Sequence, residues 1–290
     1  MTLYEMLVGP FVEFTFMRRA LVGALALAVS AGPAGVFLML RRMSLTGDAM
    51  SHAILPGAAA GFLVSGLAIL PMTVGGLAAG LVVALLAGLV SRFTTQREDS
   101  SLAAFYLISL ALGVMLVSLR GSSVDLMHVL FGTVLALNGE ALVMIGVVAT
   151  ASLVGFAAIW RPLVAECLDP AFLRSVSRAG QPVHLIFLGL VVLNLVGGFQ
   201  ALGTLLSVGL MMLPAAAARF WVRRLEGIVL LAIGFGMASV YAGLLVSFHA
   251  NVASGPSIIL VAGAIYLVSL VLGRRGMVFS RAQPARHRIA

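Results

Sequence analysis

Lysine is absent from this chain: all 18 of its basic side chains are arginine. A Walker A loop needs a lysine after its glycines to reach the β- and γ-phosphates, so the chain cannot be its own P-loop ATPase. Any ATP energy must come from a partner. Cysteine is almost as scarce. The single Cys167 rules out an internal disulfide framework, and its position in a loop expected on the cytoplasmic side predicts a reduced thiol. Charge is sparse, at 10% of residues against 61% hydrophobic, with a mean hydropathy of +1.14. No soluble core needs that proportion. Also missing are the alternating strand pattern of a membrane β-barrel and the H-E-x-x-H sequence of an intramembrane metalloprotease. These absences leave a membrane protein with no ATPase or metalloprotease motif of its own.

What is present is a series of apolar runs near 20 residues, the length a helix needs to span a bilayer. The expected fold is all-α, a polytopic transmembrane helical bundle of about nine spans, or eight if one segment fails to cross. The segments are 21–40, 44–66, 71–90, 102–119, 124–137 fused to or followed by 141–160, 183–199, 202–218, 227–248 and 258–272. Residues 121–140 are too polar for a clean span and suit a re-entrant or broken helix, tolerated only inside protein or beside a cavity. Residues 1–20 read as an interfacial segment, 21–273 as the permease domain and 274–290 as a basic cytoplasmic tail. Leu21–Leu40 is too long for a signal-peptide core and ends in Arg41-Arg42, so it is a retained span. Placing the N-terminus outside and the C-terminus inside puts 15 of the 18 arginines in the cytoplasm. The net charge of +8 is thus a matter of topology, with no nucleic-acid partner implied. Gly57-xxx-Gly61 and Gly76-xxx-Gly80 have the spacing of close helix packing, and Pro56 and Pro214 suggest kinks.

Two constellations have metal-ligand chemistry. Asp48 and His52 stand i and i+4, one above the other if the second segment is helical. An ionisable pair inside a span is costly and faces a protein interior or a watery path. Carboxylate oxygen with imidazole nitrogen suits a divalent transition metal. Asp125 and His128, i and i+3, form a second pair near the outer end of the fourth and fifth segments. Of the remaining polar residues, Asn138, Glu140, Asn194 and Gln200 are expected to bond across helices. His249 is expected in a solvated outer loop, and His184 needs no role.

A third stretch predicts a short cytoplasmic helix over about 169–180. Asp169 is a good N-cap, Pro170 fits the first helical position, and Gly180 can close the helix. Phe172, Leu173 and Val176 form an apolar patch beside Arg174. A helix so short is marginal alone in water, and is expected to dock as a peg in a partner's groove.

These stretches resemble the membrane permease subunit of the zinc/manganese/iron branch of ABC importers. The resemblance covers residues from about Pro10 to Gly273. It rests on Leu40-Arg-Arg-Met-Ser-Leu-Thr-Gly-Asp48-Ala-Met-Ser-His52-Ala-Ile-Leu-Pro56-Gly57, on Leu130-Phe-Gly-Thr-Val-Leu and on Leu168-Asp-Pro-Ala-Phe172. Gly203-Thr-Leu-Leu-Ser-Val-Gly-Leu-Met-Met-Leu-Pro214-Ala-Ala-Ala-Ala-Arg and Ala253-Ser-Gly-Pro-Ser-Ile complete it. Val124-Asp-Leu-Met-His128-Val-Leu-Phe-Gly and Trp160-Arg-Pro-Leu look closest to a zinc-type subgroup. The resemblance implies a homodimer in the bacterial inner (plasma) membrane, with the metal path at its two-fold axis. It also implies two cytoplasmic ATPase subunits that bind the ATP, and an extracytoplasmic metal-binding protein. The family's metal-lining residues fall on Asp48, His52 and Asp125, whereas His128 rests on its spacing alone. The Asp169–Arg178 stretch matches the segment that engages the ATPase. The expected cargo is zinc, with manganese or iron as the alternative and no permanently bound cofactor. A proton-coupled secondary metal transporter, with carboxylates coupling the flux, is the rival from another class.

Overall fold

A backbone immersed in hydrocarbon must satisfy its polar groups within each segment, and the apolar runs of this chain are accordingly helices. The computed structural model describes residues 3–66, 68–95, 98–119, 134–169 and 180–280, with positions 173, 175 and 177 between the last two. Helices α1 (Leu3–Leu7), α2 (Gly9–Glu13), α3 (Thr15–Leu40), α4 (Thr46–Ala53), α5 (Leu55–Ser65), α6 (Ile69–Phe93) and α7 (Glu98–Leu119) come first. A 3₁₀ turn at Val134–Ala136 leads to α8 (Gly139–Leu168), α9 (Gly180–Leu202), α10 (Thr204–Ala218), α11 (Leu225–Ala250), α12 (Ser254–Leu272) and the short α13 (Met277–Ser280). No strand occurs among the described residues.

Six of these helices, namely α3, α6, α8, α9, α11 and α12, are long and apolar enough to cross a membrane, where about nine crossings were expected. The difference has local causes. The 44–66 segment is divided into α4 and α5 at Ile54, next to Pro56. The chain turns at Gly203, whose φ of 91° lies in the glycine-favoured region, and that leaves α10 with 15 residues. α7 offers the shorter apolar stretch Ser100–Leu116. At the other end of the chain, α3 runs without interruption through Arg18 and Arg19, so the first span begins at Thr15 and not at Leu21. The N-terminal segment docks on α11. Tyr241 donates a hydrogen bond to the Leu7 carbonyl (2.9 Å), and His249 bonds the Met6 carbonyl (2.9 Å) instead of standing in a loop.

The core lies between α3, α4, α8 and α9. Phe37, Phe156 and Phe187 meet with ring centroids 6.3 Å apart, and Trp160 packs edge-on to Phe37 at 5.4 Å. Met50, Ala53 and Ile54 at the end of α4 are fully buried in the same cluster. That burial anchors one face of α4. Asn194 of α9 reaches Ser152 of α8 (2.9 Å), an interhelical bond of the expected kind, while Asn138 instead caps α8 by accepting from the Ala141 N–H.

In the α5–α6 hairpin the two backbones come close together. A Cβ on Gly57 would sit 1.9 Å from the Gly75 carbonyl oxygen, and one on Gly61 would sit 2.5 Å from that of Pro71. The Gly57-xxx-Gly61 pair is therefore a packing device. Gly57→Ala must push the two backbones apart, so we expect a loss of about 1–3 kcal/mol, read as a lower melting midpoint in detergent. Gly88→Ala, with nothing within 4 Å, should leave the midpoint unchanged or raise it.

Candidate metal path and its connections

Asp48 lies in the first turn of α4 and His52 in its last, on the face opposite the core-facing Met50 and Ala53. A carboxylate near a helix N-terminus and an imidazole near the C-terminus both suit the helix dipole. His52 Nε2 stands 3.9 Å from Asp48 Oδ1, too far for a direct hydrogen bond. Neither side chain is tied to the backbone of the described residues. The Asp48 side chain is 68% exposed, and it lines a cavity of about 200 Å³ with Leu45, Thr46, Ala49, Leu102 and Tyr106. His52 is 28% exposed, and its Nδ1 is buried without a hydrogen-bond partner among the described residues. A buried ring nitrogen left unpaired is costly; a bound cation or water satisfies it.

The opposite wall comes from α7. Tyr106 packs beside the His52 ring, with centroids 6.3 Å apart. One turn further along α7, Ser109 donates to the Ala53 carbonyl (2.8 Å), at the break between α4 and α5. Ala53 is the last residue of α4, so its carbonyl is one that a helix C-terminus leaves open, and the Ser109 hydroxyl satisfies it from outside. Gly113 lets α7 come close to Leu55 and Pro56, which a Cβ would approach at 3.1 Å. Tyr106, Ser109 and Gly113 are thus one face of α7 laid along the broken helix. Removing the hydroxyl with Ser109→Ala should cost about 1 kcal/mol, measurable as a lower thermal midpoint.

Among the described residues no three His, Cys, Asp or Glu side chains converge to hold a metal ion. Asp48 and His52 are a two-donor set. Asp125 and His128 lie outside the described residues, as do Pro170, Phe172, Arg174 and Val176 of the expected coupling helix. Asp169 has non-helical backbone angles, and its carbonyl accepts from the Leu173 N–H (3.2 Å); Ser177 then bonds Leu173 (2.8 Å). Those are two i→i+4 bonds, and Asp169 is itself the residue that caps the C-terminus of α8. Leu173, expected in the apolar patch of a docking helix, is 8% exposed within this chain. Gly180 opens α9 instead of closing the preceding helix, and Pro182 occupies the first turn of α9, where a missing N–H does no harm.

The structure also assembles a charged cluster that sequence reading missed. Arg41, capping the C-terminus of α3, donates to Glu166 Oε2 (2.7 Å) and to Cys167 Sγ (3.4 Å) on α8, and bonds His184 Nδ1 on α9. Its guanidinium lies over the Phe187 ring, 4.6 Å from the centroid. The side chains of Arg41 and Glu166 are only 9% and 15% exposed. His184 therefore has a structural role that its sequence context does not suggest. The available signal was Glu166 itself, an acid at the end of a long apolar run with no partner in its own helix.

Comparison with known proteins extends these observations. The model of the ABC 3 transport family matches residues 13–273. The manganese import system permease protein ScaB of Streptococcus parasanguinis is 33% identical over 261 residues, covering 90% of this chain and 91% of that protein. The manganese transport system membrane protein MntC of Halalkalibacterium halodurans is 32% identical, covering 93% and 91%. Among solved structures, PsaBC from Streptococcus pneumoniae in complex with Fab superposes with a TM-score of 0.85 at 29% identity, covering 97% of this chain and all of that one. A family match over nearly the whole length, two relatives above 30% identity and a shared helical fold lead to one conclusion: this chain belongs to the ABC 3 transport family.

Proposed function

We propose that the chain is the membrane-spanning permease of an ATP-driven importer of divalent transition-metal ions, and that its cargo is manganese. The observation that supports the metal path is Asp48, which lines a cavity with Tyr106, together with His52 on the same helix face, 3.9 Å from the Asp48 carboxylate and beside the Tyr106 ring. The names of the relatives favour manganese over the zinc expected from residues 124–132 and 160–163. A closed tetrahedral cage would trap the ion, whereas conduction needs a site weak enough to leave. With two donors among the described residues, Asp125 and the same residues of a second copy across a homodimer axis complete the set. α4–α5, α7 and α10 add to the six long helices to give nine crossings, N-terminus out, in a bacterial plasma membrane. The 169–180 segment engages a separate ATPase, and an extracytoplasmic protein delivers the ion.

The test is uptake into vesicles containing the permease, the ATPase subunits and the binding protein. Manganese uptake should require ATP, with zinc and iron competing weakly. Uptake driven by a proton gradient with no ATPase present would establish the secondary-transporter reading instead. Zinc outcompeting manganese would return the cargo to zinc.

A further inference from the structure

Arginines are concentrated at one end of the bundle, where the α10–α11 connection meets the end of α12. There, Trp221, Val222, Arg223, Arg224, Arg274 and Arg275 line a cavity of about 460 Å³. All four arginines are exposed, and none forms an ion pair among the described residues. The Trp221 indole N–H is buried with no acceptor among them. Every side-chain polar group around the cavity is thus a donor, and four guanidinium charges gather with no counter-ion from the described residues. Glu226, the carboxylate nearest in sequence, is exposed in the first turn of α11 and does not line the cavity. Residues 281–290 bring three further arginines and no acidic side chain. Close in sequence to Arg274 and Arg275, Val271, Leu272, Met277 and Val278 are exposed hydrophobics. A site of this kind takes an anion that has an apolar body attached.

We propose that this cavity binds the phosphate headgroup of an anionic phospholipid from the cytoplasmic leaflet, with the acyl chains lying against the exposed end of α12 and α13. Basic pockets at the ends of transmembrane helices recognise such headgroups, and guanidinium suits phosphate by bidentate hydrogen bonding. The site is remote in sequence from both the metal pair and the 169–180 segment, so it stands independently of the proposed cargo. The chain's two tryptophans make it testable: with Trp160→Phe as the background, Trp221 is the sole indole. The protein would be reconstituted in phosphatidylcholine vesicles with increasing fractions of acyl-brominated phosphatidylglycerol or acyl-brominated phosphatidylcholine, and Trp221 quenching measured. Brominated phosphatidylglycerol should quench at a mole fraction at least about fivefold lower, the factor expected for even one engaged arginine. High salt should shrink that preference in the unsubstituted arginine background. R223Q/R224Q/R274Q/R275Q should abolish it, and the four Arg→Lys substitutions should retain some of it. Equal quenching by the two lipids, or a preference that survives the four glutamines, would overturn the proposal. So would inorganic phosphate displacing the brominated phosphatidylglycerol at equal concentration, which would make this a free-anion site.

Discussion

Asp48→Asn is expected to reduce manganese uptake by about 10–100-fold, the loss typical when a metal's immediate surroundings are altered. The substitution keeps size and shape and removes only the charge that attracts the cation. Folding should not suffer. The Asp48 side chain is largely exposed, and its one ionic contact among the described residues is the 3.9 Å approach to His52. His52→Ala should give a loss of similar size. It removes the ring nitrogen, and with it the buried Nδ1 that has no partner among the described residues, so the melting midpoint should hold or rise slightly. Both variants would be measured in vesicles with the ATPase and binding protein present, alongside thermal melts in detergent. Parent-like transport by both would mean that the ion does not pass between these side chains.

The second large effect lies at the Arg41 cluster. Breaking a buried ion pair by removing one partner costs about 3–5 kcal/mol, because the remaining charge is stranded away from water. Glu166→Gln does this to a guanidinium that is 9% exposed and held against Phe187. At about 2–4 °C per kcal/mol for a chain approaching this size, the melting midpoint should fall by roughly 6 °C or more. Pairing the change with Arg41→Met should restore most of the loss, since an apolar pair removes both charges together. A single variant within about 1–2 °C of the parent would show that His184 and Cys167 compensate fully. Arg41 lies at the turn into α4, and Glu166 lies three residues before Asp169. The clamp therefore joins the start of the candidate metal path to the start of the candidate ATPase-docking segment. Loss of the ion pair should also reduce ATP-coupled uptake more than it reduces metal binding.

The linear chain determined the helical class and the place of nearly every long helix, because apolar runs near 20 residues leave the backbone no alternative in lipid. It also determined that Asp48 and His52 share a face, since a four-residue spacing is close to one turn. Packing decided the rest. The break at Ile54 exists where Ser109 supplies a donor from α7 and Gly113 allows the approach, and neither partner is near it in sequence. Tyr106 joined the site for the same reason. Arg41 looked like a topology marker beside Arg42 until Glu166, Cys167 and His184, all more than 120 positions away, closed around it. Leu173 belonged by its spacing to an apolar docking patch, and what buries it within this chain is not revealed by local spacing. Periodicity reports which face of a helix a residue occupies; what lies opposite that face depends on contacts between segments far apart in the chain.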